Sequence, residues 1–412
     1  MSSNIRFISA GAGSGKTYRL TQELNRLLGE GGVRPSGVIA TTFTRLAANE
    51  LRERVTQELA GSGQISSANQ MGQALIGTVN AVCAELLVRF AFEAGLSPDQ
   101  KVLEEADAMQ LFGEAVESAL GEHTGRIRRM NELAHRLQKT DRQKNPVWQK
   151  DVQEIVAQAR ANDMSPEQLR AWGRESADSL LAFFPPPTQR ELDAELLRAV
   201  AQVIDAIDTD EDTTKATRAY VSLLDNARRL LGQSRLPWSD WVKLSKTSPA
   251  KKSKSQAEAV RLVAGDSEKH PRLQAETREF SAEVFAIAAD SLQAYQDLKV
   301  RQGIMDFVDQ EQRLYHLLDH PHVSGTLKEE LQLLLVDEFQ DTSPIQLALF
   351  VKLAALADRV IWVGDLKQAI YGFRGSDPAL MQAVLEKVVA DGGGTDVLPY
   401  SWRSRPARVQ YA

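Results

Sequence analysis

The feature that most constrains this chain is the run AGAGSGKT at residues 10–17, entered from the apolar stretch IRFISA and followed by the helix-period stretch TYRLTQELNRLL. A strand, a glycine-rich loop and a helix in immediate succession fix the local path of the chain. Successive backbone N–H groups turn inward, and the positive end of the helix follows them, making a concave seat for an anionic group. Gly13 and Gly15 permit the tight turn, and Ala10, Gly11, Ala12 and Ser14 complete the cradle. Lys16 is placed to reach the β- and γ-phosphates of a nucleotide, and the Thr17 hydroxyl to ligate Mg2+. Ala10 stands where the strict pattern has glycine. A plain flexible turn is the competing reading, and Lys-Thr at the required positions argues against it.

Beyond this loop, SGVIATTF reads as a second strand and RLAANELRERVTQELA as a second helix. GSGQISSANQMG reads as a polar loop, and LIGTVNAVCAELLVRFAFEAGL as a strand end turning into a helix. Such βαβα order implies a parallel sheet covered by helices. From about residue 100 to about residue 300 the chain is charged and mostly helical in period, with breakers at FFPPPTQ, SRLPWSD and KTSPAKKSK. Strand–helix alternation resumes at LQLLLVDEF and DRVIWVGD, apolar runs of the kind found in buried parallel strands. The expected architecture is an α/β P-loop domain with a parallel sheet, made of residues 1–100 and 301–395 and interrupted by a largely helical insertion over 101–300.

The apolar run LQLLLVDEFQDT ends in Asp337 and Glu338. A P-loop needs an acidic strand end to hold its metal, and a strand end beside the loop would put Asp337 in the magnesium shell. Glu338 would then deprotonate the attacking water.

Composition removes other classes. One cysteine among 412 residues, Cys83, excludes an internal disulfide framework and zinc sites built on paired cysteines, and fits a reducing, cytoplasmic compartment. No apolar run approaches the ~18 residues of a membrane span, so no membrane association is expected. The net charge of −6 gives no global sign of nucleic-acid binding, so any such surface must be local.

At DEFQDT followed by VGDLKQAIYGFRGSD the chain resembles the UvrD/Rep family of superfamily 1 DNA helicases, and most of all the branch of the RecBCD- and AddAB-type helicase subunits. The likeness runs through ordered blocks: AGAGSGKT, TTFTRLAANELRERV, GTVNAVCAELL, IMDFVDQEQRL, LLLVDEFQDTSPIQ, VGDLKQAIYGFRGSD and LPYSWRSRP. It implies a RecA-like domain that binds ATP and Mg2+ and couples hydrolysis to movement along single-stranded DNA, in repair or recombination. By the same likeness Gln340 links the nucleotide to the strand, Gln368 senses the γ-phosphate, and Arg403 is a γ-phosphate arginine. Tyr371 and Phe373 stack on bases, with Arg374 supporting their loop, while Phe43, Thr44, Arg45, Thr78 and Asn80 make further strand contacts. Aromatic stacking holds a strand without reading its sequence, since every base has a π-face. Two positions depart from the family pattern: Arg45-Leu46 replaces Asn-Lys, and Asn80 replaces histidine.

In the insertion, LPWSDWVKLSKTSPAKKSKS joins Trp238 and Trp241 to Lys251, Lys252 and Lys254, and is expected to track DNA phosphates. The stretch RIRRMNELAHRLQKTDRQKNPVWQK is also basic, with a solvated face as the equal alternative. Residues 396–412 are expected to begin a second motor domain, so that the 412-residue chain would bind ATP·Mg2+ without unwinding a duplex alone. Expected partners are single-stranded DNA, a duplex junction, and a second helicase or nuclease subunit. The alternative is a DNA-binding ATPase module without unwinding activity; a small-molecule kinase would share only the P-loop.

Overall fold

The computed structural model describes residues 4–11, 14–97, 99, 101–121, 124–208, 210–365 and 378–398. The chain divides into two compact units. The first unites residues 1–109, 160–163 and 299–412; the second holds residues 110–159 and 164–298.

Strand β1 (Ile5–Ser9) leads into α1 (Lys16–Gly29), then β2 (Val38–Thr42), α2 (Arg45–Gly61), α3 (Ile65–Gln70), β3 (Leu75–Thr78) and α4 (Val79–Arg89). The segment read as a polar loop thus contains a short helix. Its polar residues face water and only Ala68 and Met71 are buried, too few to show a period. Strand β4 (Lys101–Val102) precedes the helices α5 (Glu105–Leu120), α6 (Thr124–Arg136), α7 (Trp148–Ala161), α8 (Pro166–Leu181), α9 (Leu192–Ala206), α10 (Lys215–Leu231), α11 (Trp238–Lys246), α12 (Glu258–Gly265) and α13 (Pro271–Gln302). The chain continues with β5 (Ile304–Met305), α14 (Phe307–Leu317), α15 (Pro321–Glu330), β6 (Leu333–Val336), α16 (Pro344–Leu356), β7 (Arg359–Gly364), α17 (Pro378–Ala390) and β8 (Gly394–Val397).

The main sheet is parallel throughout, in the order β3-β2-β6-β7-β1-β8. Because side chains alternate along a strand, its residues divide between two cores. Ile5, Phe7, Leu334, Val336, Val360 and Trp362 meet α4, α14, α16 and α17 on one face. Ile8, Ala40, Leu333, Leu335, Ile361 and Val363 meet α1 and α2 on the other. Burial on both faces explains why β6 and β7 read as continuous apolar runs. Strands β4 and β5 form a separate two-stranded parallel pair.

Strand β8 corrects one expectation. Asp396 and Val397, assigned from sequence to a second motor domain, belong to the outer strand of this sheet. Arg6 on β1 donates from Nε to Asp396 Oδ2 at 2.6 Å, fastening the strand.

The second unit is helical, with two cores. One gathers α9, α10, α11 and α12 around Tyr220, Trp238 and Trp241; the other gathers α6, α7, α8 and α13 around Trp148.

Candidate active site and strand cleft

The phosphate loop leaves β1 fully buried: Ala10 has no exposed surface, and its N–H donates to the Gly364 carbonyl at 3.0 Å. The Ser14 N–H donates to the Gly11 carbonyl at 3.1 Å. Gly15, at φ 84°, turns the chain into α1 through the left-handed region that favours glycine. It brings no side chain to cap the helix, so the first-turn N–H groups of α1 stay available to an anion. The Ser14 hydroxyl is buried without a hydrogen-bond partner, a second sign that the cradle is built for a polar occupant. Ala12 and Gly13 lie outside the described residues.

Opposite this loop, β6 delivers Asp337 and Glu338. The sequence reading set this strand end beside the P-loop; in the sheet β7 stands between β1 and β6. The carboxylates nevertheless reach the loop. Lys16 Nζ lies 2.5 Å from Glu338 Oε2, in a half-covered site. Glu338 adopts φ 52° and ψ 44°, a conformation that costs a non-glycine residue roughly 1–2 kcal/mol. Gln340 Nε2 donates to Glu338 Oε2 at 2.7 Å, and its Oε1 accepts from the Asp365 N–H at 3.0 Å. Gly364 makes room for this: a Cβ there would stand 2.6 Å from Gln340 Oε1. Lys16, Glu338, Gln340 and the end of β7 therefore form one hydrogen-bonded chain.

Burial, reinforced by the neighbouring Glu338, pushes the Asp337 carboxyl up to about 6 even with Lys16 pulling the other way. Such an undercompensated carboxyl, with Thr17 opening α1, fits a hard cation. Among the described residues no group of three or more His, Cys, Asp or Glu could hold a metal by itself. Mg2+ requires none, since it is usually held by one or two protein oxygens plus phosphate and water.

Glu338 and Asp337 also line a cleft of about 150 Å3 with Phe43, Thr78, Asn80, Asp341, Ser343 and Gln346. Three helices start around it. Thr44 caps α2 by accepting from the Ala47 N–H at 3.1 Å, Thr78 caps α4 by accepting from the Ala81 N–H at 3.2 Å, and Ser343 caps α16. Of the strand contacts read from sequence, Phe43, Thr78 and Asn80 are brought together here, with Phe43 40% exposed. Exposed Thr44 and Arg45 follow Phe43 directly. Gln368, Tyr371, Phe373, Arg374 and Arg403 lie outside the described residues. Gln346 and Ser343 were missed, although S-x-x-Q before an apolar run is a legible capping box.

The helical unit corrects another expectation. Trp238 cannot stack on a base from where it stands. It is 6% exposed, packs edge-on against His270, and donates from Nε1 to Glu276 Oε2 at 2.8 Å. The tryptophans of LPWSDW are core residues, and their lysine neighbours misled the reading. Lys251, Lys252 and Lys254 are exposed. Their loop is pinned from within by Asp212, which accepts from the hydroxyls of Ser253 at 2.6 Å and Thr217 at 2.8 Å. These hydrogen bonds hold the Asp212 carboxyl down to about 2. Lys252 pairs with Glu211 at 3.0 Å. If the loop tracks phosphates, replacing all three lysines by glutamine lowers the log–log salt slope of strand binding by about 0.7 per lost contact. An unchanged slope would return the loop to a solvated surface. The basic stretch on α6 is neutralised internally: Arg126 pairs with Glu283 and Asp290, Arg129 with Glu279, and Arg136 with Glu276.

A parallel sheet sandwiched by helices, a phosphate loop after its first strand and an acidic strand end facing that loop define a RecA-like P-loop domain. The chain belongs to the UvrD/REP helicase family: the family described as UvrD/REP helicase N-terminal domain matches residues 2–388. It is similar to an ATP-dependent helicase/nuclease protein of Listeria monocytogenes serotype 4a, 24% identical over 458 residues covering 98% of this chain and 37% of the relative. The protein of the same name from Levilactobacillus brevis is 25% identical over 452 residues, covering 96% of this chain and 36% of the relative. The chain thus spans little more than a third of the length of these relatives. No helix among the described residues is long and apolar enough to cross a membrane.

Proposed function

We propose that this chain is the ATP-binding motor half of an ATP-dependent DNA helicase, of helicase–nuclease type, acting in DNA repair or recombination. The observation that carries the reading is Glu338, which touches Lys16 of the phosphate loop and also lines the cleft with Phe43, Thr78 and Asn80. One carboxylate thus belongs to both sites, and a strand that moves it alters hydrolysis.

In this reading the loop N–H groups and Lys16 bind the phosphates, and Thr17 and Asp337 hold Mg2+. The cation, when bound, offsets charge on the phosphate oxygens. Glu338 takes the proton of the attacking water, and Gln340 relays between nucleotide and strand. Gln368 and Arg403 are proposed to contact the γ-phosphate, and Tyr371 and Phe373 to stack on bases, with Arg374 behind them. The proposed partners are single-stranded DNA, a duplex junction and a further polypeptide of the same machine, because the relatives are each named as one subunit of a helicase/nuclease. ATP turnover measured with and without oligothymidine tests the coupling. Turnover is expected to rise as the strand saturates the protein; turnover indifferent to bound strand would overturn the reading.

A further inference from the structure

Glu311 is a carboxyl where the fold would more cheaply have a leucine. It lies on α14, 4% exposed, on the helix face that meets α4 and α16 and whose other members include Leu314 and Leu317. Glutamate is rarely buried unless something holds it. Here the partner is Gln346, whose Nε2 donates to Glu311 Oε1 at 2.6 Å.

Gln346 has two duties. It is the third residue of α16 and closes a capping box: its Oε1 accepts from the Ser343 N–H at 3.2 Å, and its own N–H donates to Ser343 Oγ at 3.4 Å. With the amide oxygen committed to Ser343, the amide nitrogen must face Glu311. Gln346 and Ser343 also line the cleft shared with Thr78, Asn80 and Glu338. We propose that Glu311 is a positioning residue for the strand cleft: through the Gln346 amide it sets the first turn of α16, and so the part of the cleft wall that Ser343 and Gln346 supply. The inference rests on the reading of this cleft as the strand site.

The charge state of Glu311 gives it a signature. Burial pushes its carboxyl up to about 7, with Asp306 adding to the rise, against the Gln346 hydrogen bond and Arg160. The titratable and charged groups facing it are Asp306 at the start of its own helix, Arg160 at the end of α7 and Cys83 on α4, whose thiol burial also raises. From α16 it meets Gln346, while Lys352 turns to Asp319 and the Tyr315 carbonyl. Raised above the ordinary carboxylate value, the group is neutral below about 7 and charged above it. A negative charge behind the cleft opposes strand phosphates, so affinity falls as pH rises through about 7.

The test compares binding of labelled oligothymidine and of a fluorescent ATP analogue by the 412-residue chain and its variants, from about pH 6 to about pH 8. Glu311→Leu should weaken strand binding about 5–10-fold with nucleotide affinity unchanged, and Gln346→Leu added to it should cost little more. Glu311→Gln keeps an acceptor for Gln346; it should hold the acid-side affinity and lose the roughly threefold decline that the parent shows toward alkaline pH. A folded Glu311→Leu that binds strand like the parent overturns the inference, as does a Glu311→Gln variant with the parent's pH profile. Should Glu311→Leu not fold, the Glu311→Gln profile decides. A parent chain that binds no strand overturns the reading of the cleft itself, a result distinct from either.

Discussion

Glu338→Gln is expected to lower ATP turnover by a factor of about 10^3 while leaving ATP binding at or slightly above that of the parent. The structure gives the reason for the asymmetry. Lys16 Nζ rests 2.5 Å from Glu338 Oε2, so the ammonium that should hold phosphate is engaged by the carboxylate that should accept the water proton. A nucleotide must draw Lys16 away from this contact. Glutamine at 338 keeps the size and still accepts from Gln340, but no longer holds the ammonium by charge, so the cradle is easier to fill and has no base. Lys16→Ala acts at the opposite end. It removes a charge-assisted contact to phosphate and leaves Glu338 facing the incoming anion uncompensated, so ATP affinity should fall about 10–100-fold. Nucleotide titration together with phosphate release separates the two. Equal loss of binding in both variants would make Glu338 a structural residue of the loop.

What was legible in the sequence was what is local in it. The phosphate loop, the acidic end of β6 and the capped starts of α2 and α4 each occupy a few consecutive residues, so residue type and spacing nearly determine their geometry. The strand order is not local, and β7 between β1 and β6 follows only from the sheet. Trp238 and Trp241 were misread because aromatic residues beside lysines describe a strand-binding surface and a helix with one buried face equally well. Only packing tells them apart: the two rings lie 5.8 Å apart and both meet His270. The arginines of α6 posed the same problem, since their partners Glu276, Glu279, Glu283 and Asp290 lie on α13, far along the chain. Glu311 could be quoted within IMDFVDQEQRL, but its burial against Gln346 could not be read there.

The largest stability effect is expected from Lys299→Met, at about 3–5 kcal/mol. Lys299 is 3% exposed, and its ammonium lies 2.5 Å and 2.6 Å from the two oxygens of Asp309 and 3.3 Å from Asp306. Arg160 bonds to Asp306 and stands 3.3 Å from Asp309. Burial, with Arg160 close by, lowers the Lys299 pKa, while the two carboxylates work to raise it. The two cations and two anions cancel. Methionine would fill much the same volume as the lysine, yet it would leave two buried carboxylates facing one guanidinium. The same carboxylates build the start of α14: Asp306 caps the helix, accepting from the Asp309 N–H at 3.1 Å, and Asp309 accepts from the Asp306 N–H at 2.9 Å. Repulsion between them therefore loosens the helix that carries Glu311 toward α16. Urea unfolding followed by circular dichroism reads the loss as a lower midpoint. Adding Asp309→Asn, which restores one cation to one anion, should recover part of it; a double variant as weak as Lys299→Met alone would show that shape, and not charge balance, is what Lys299 supplies.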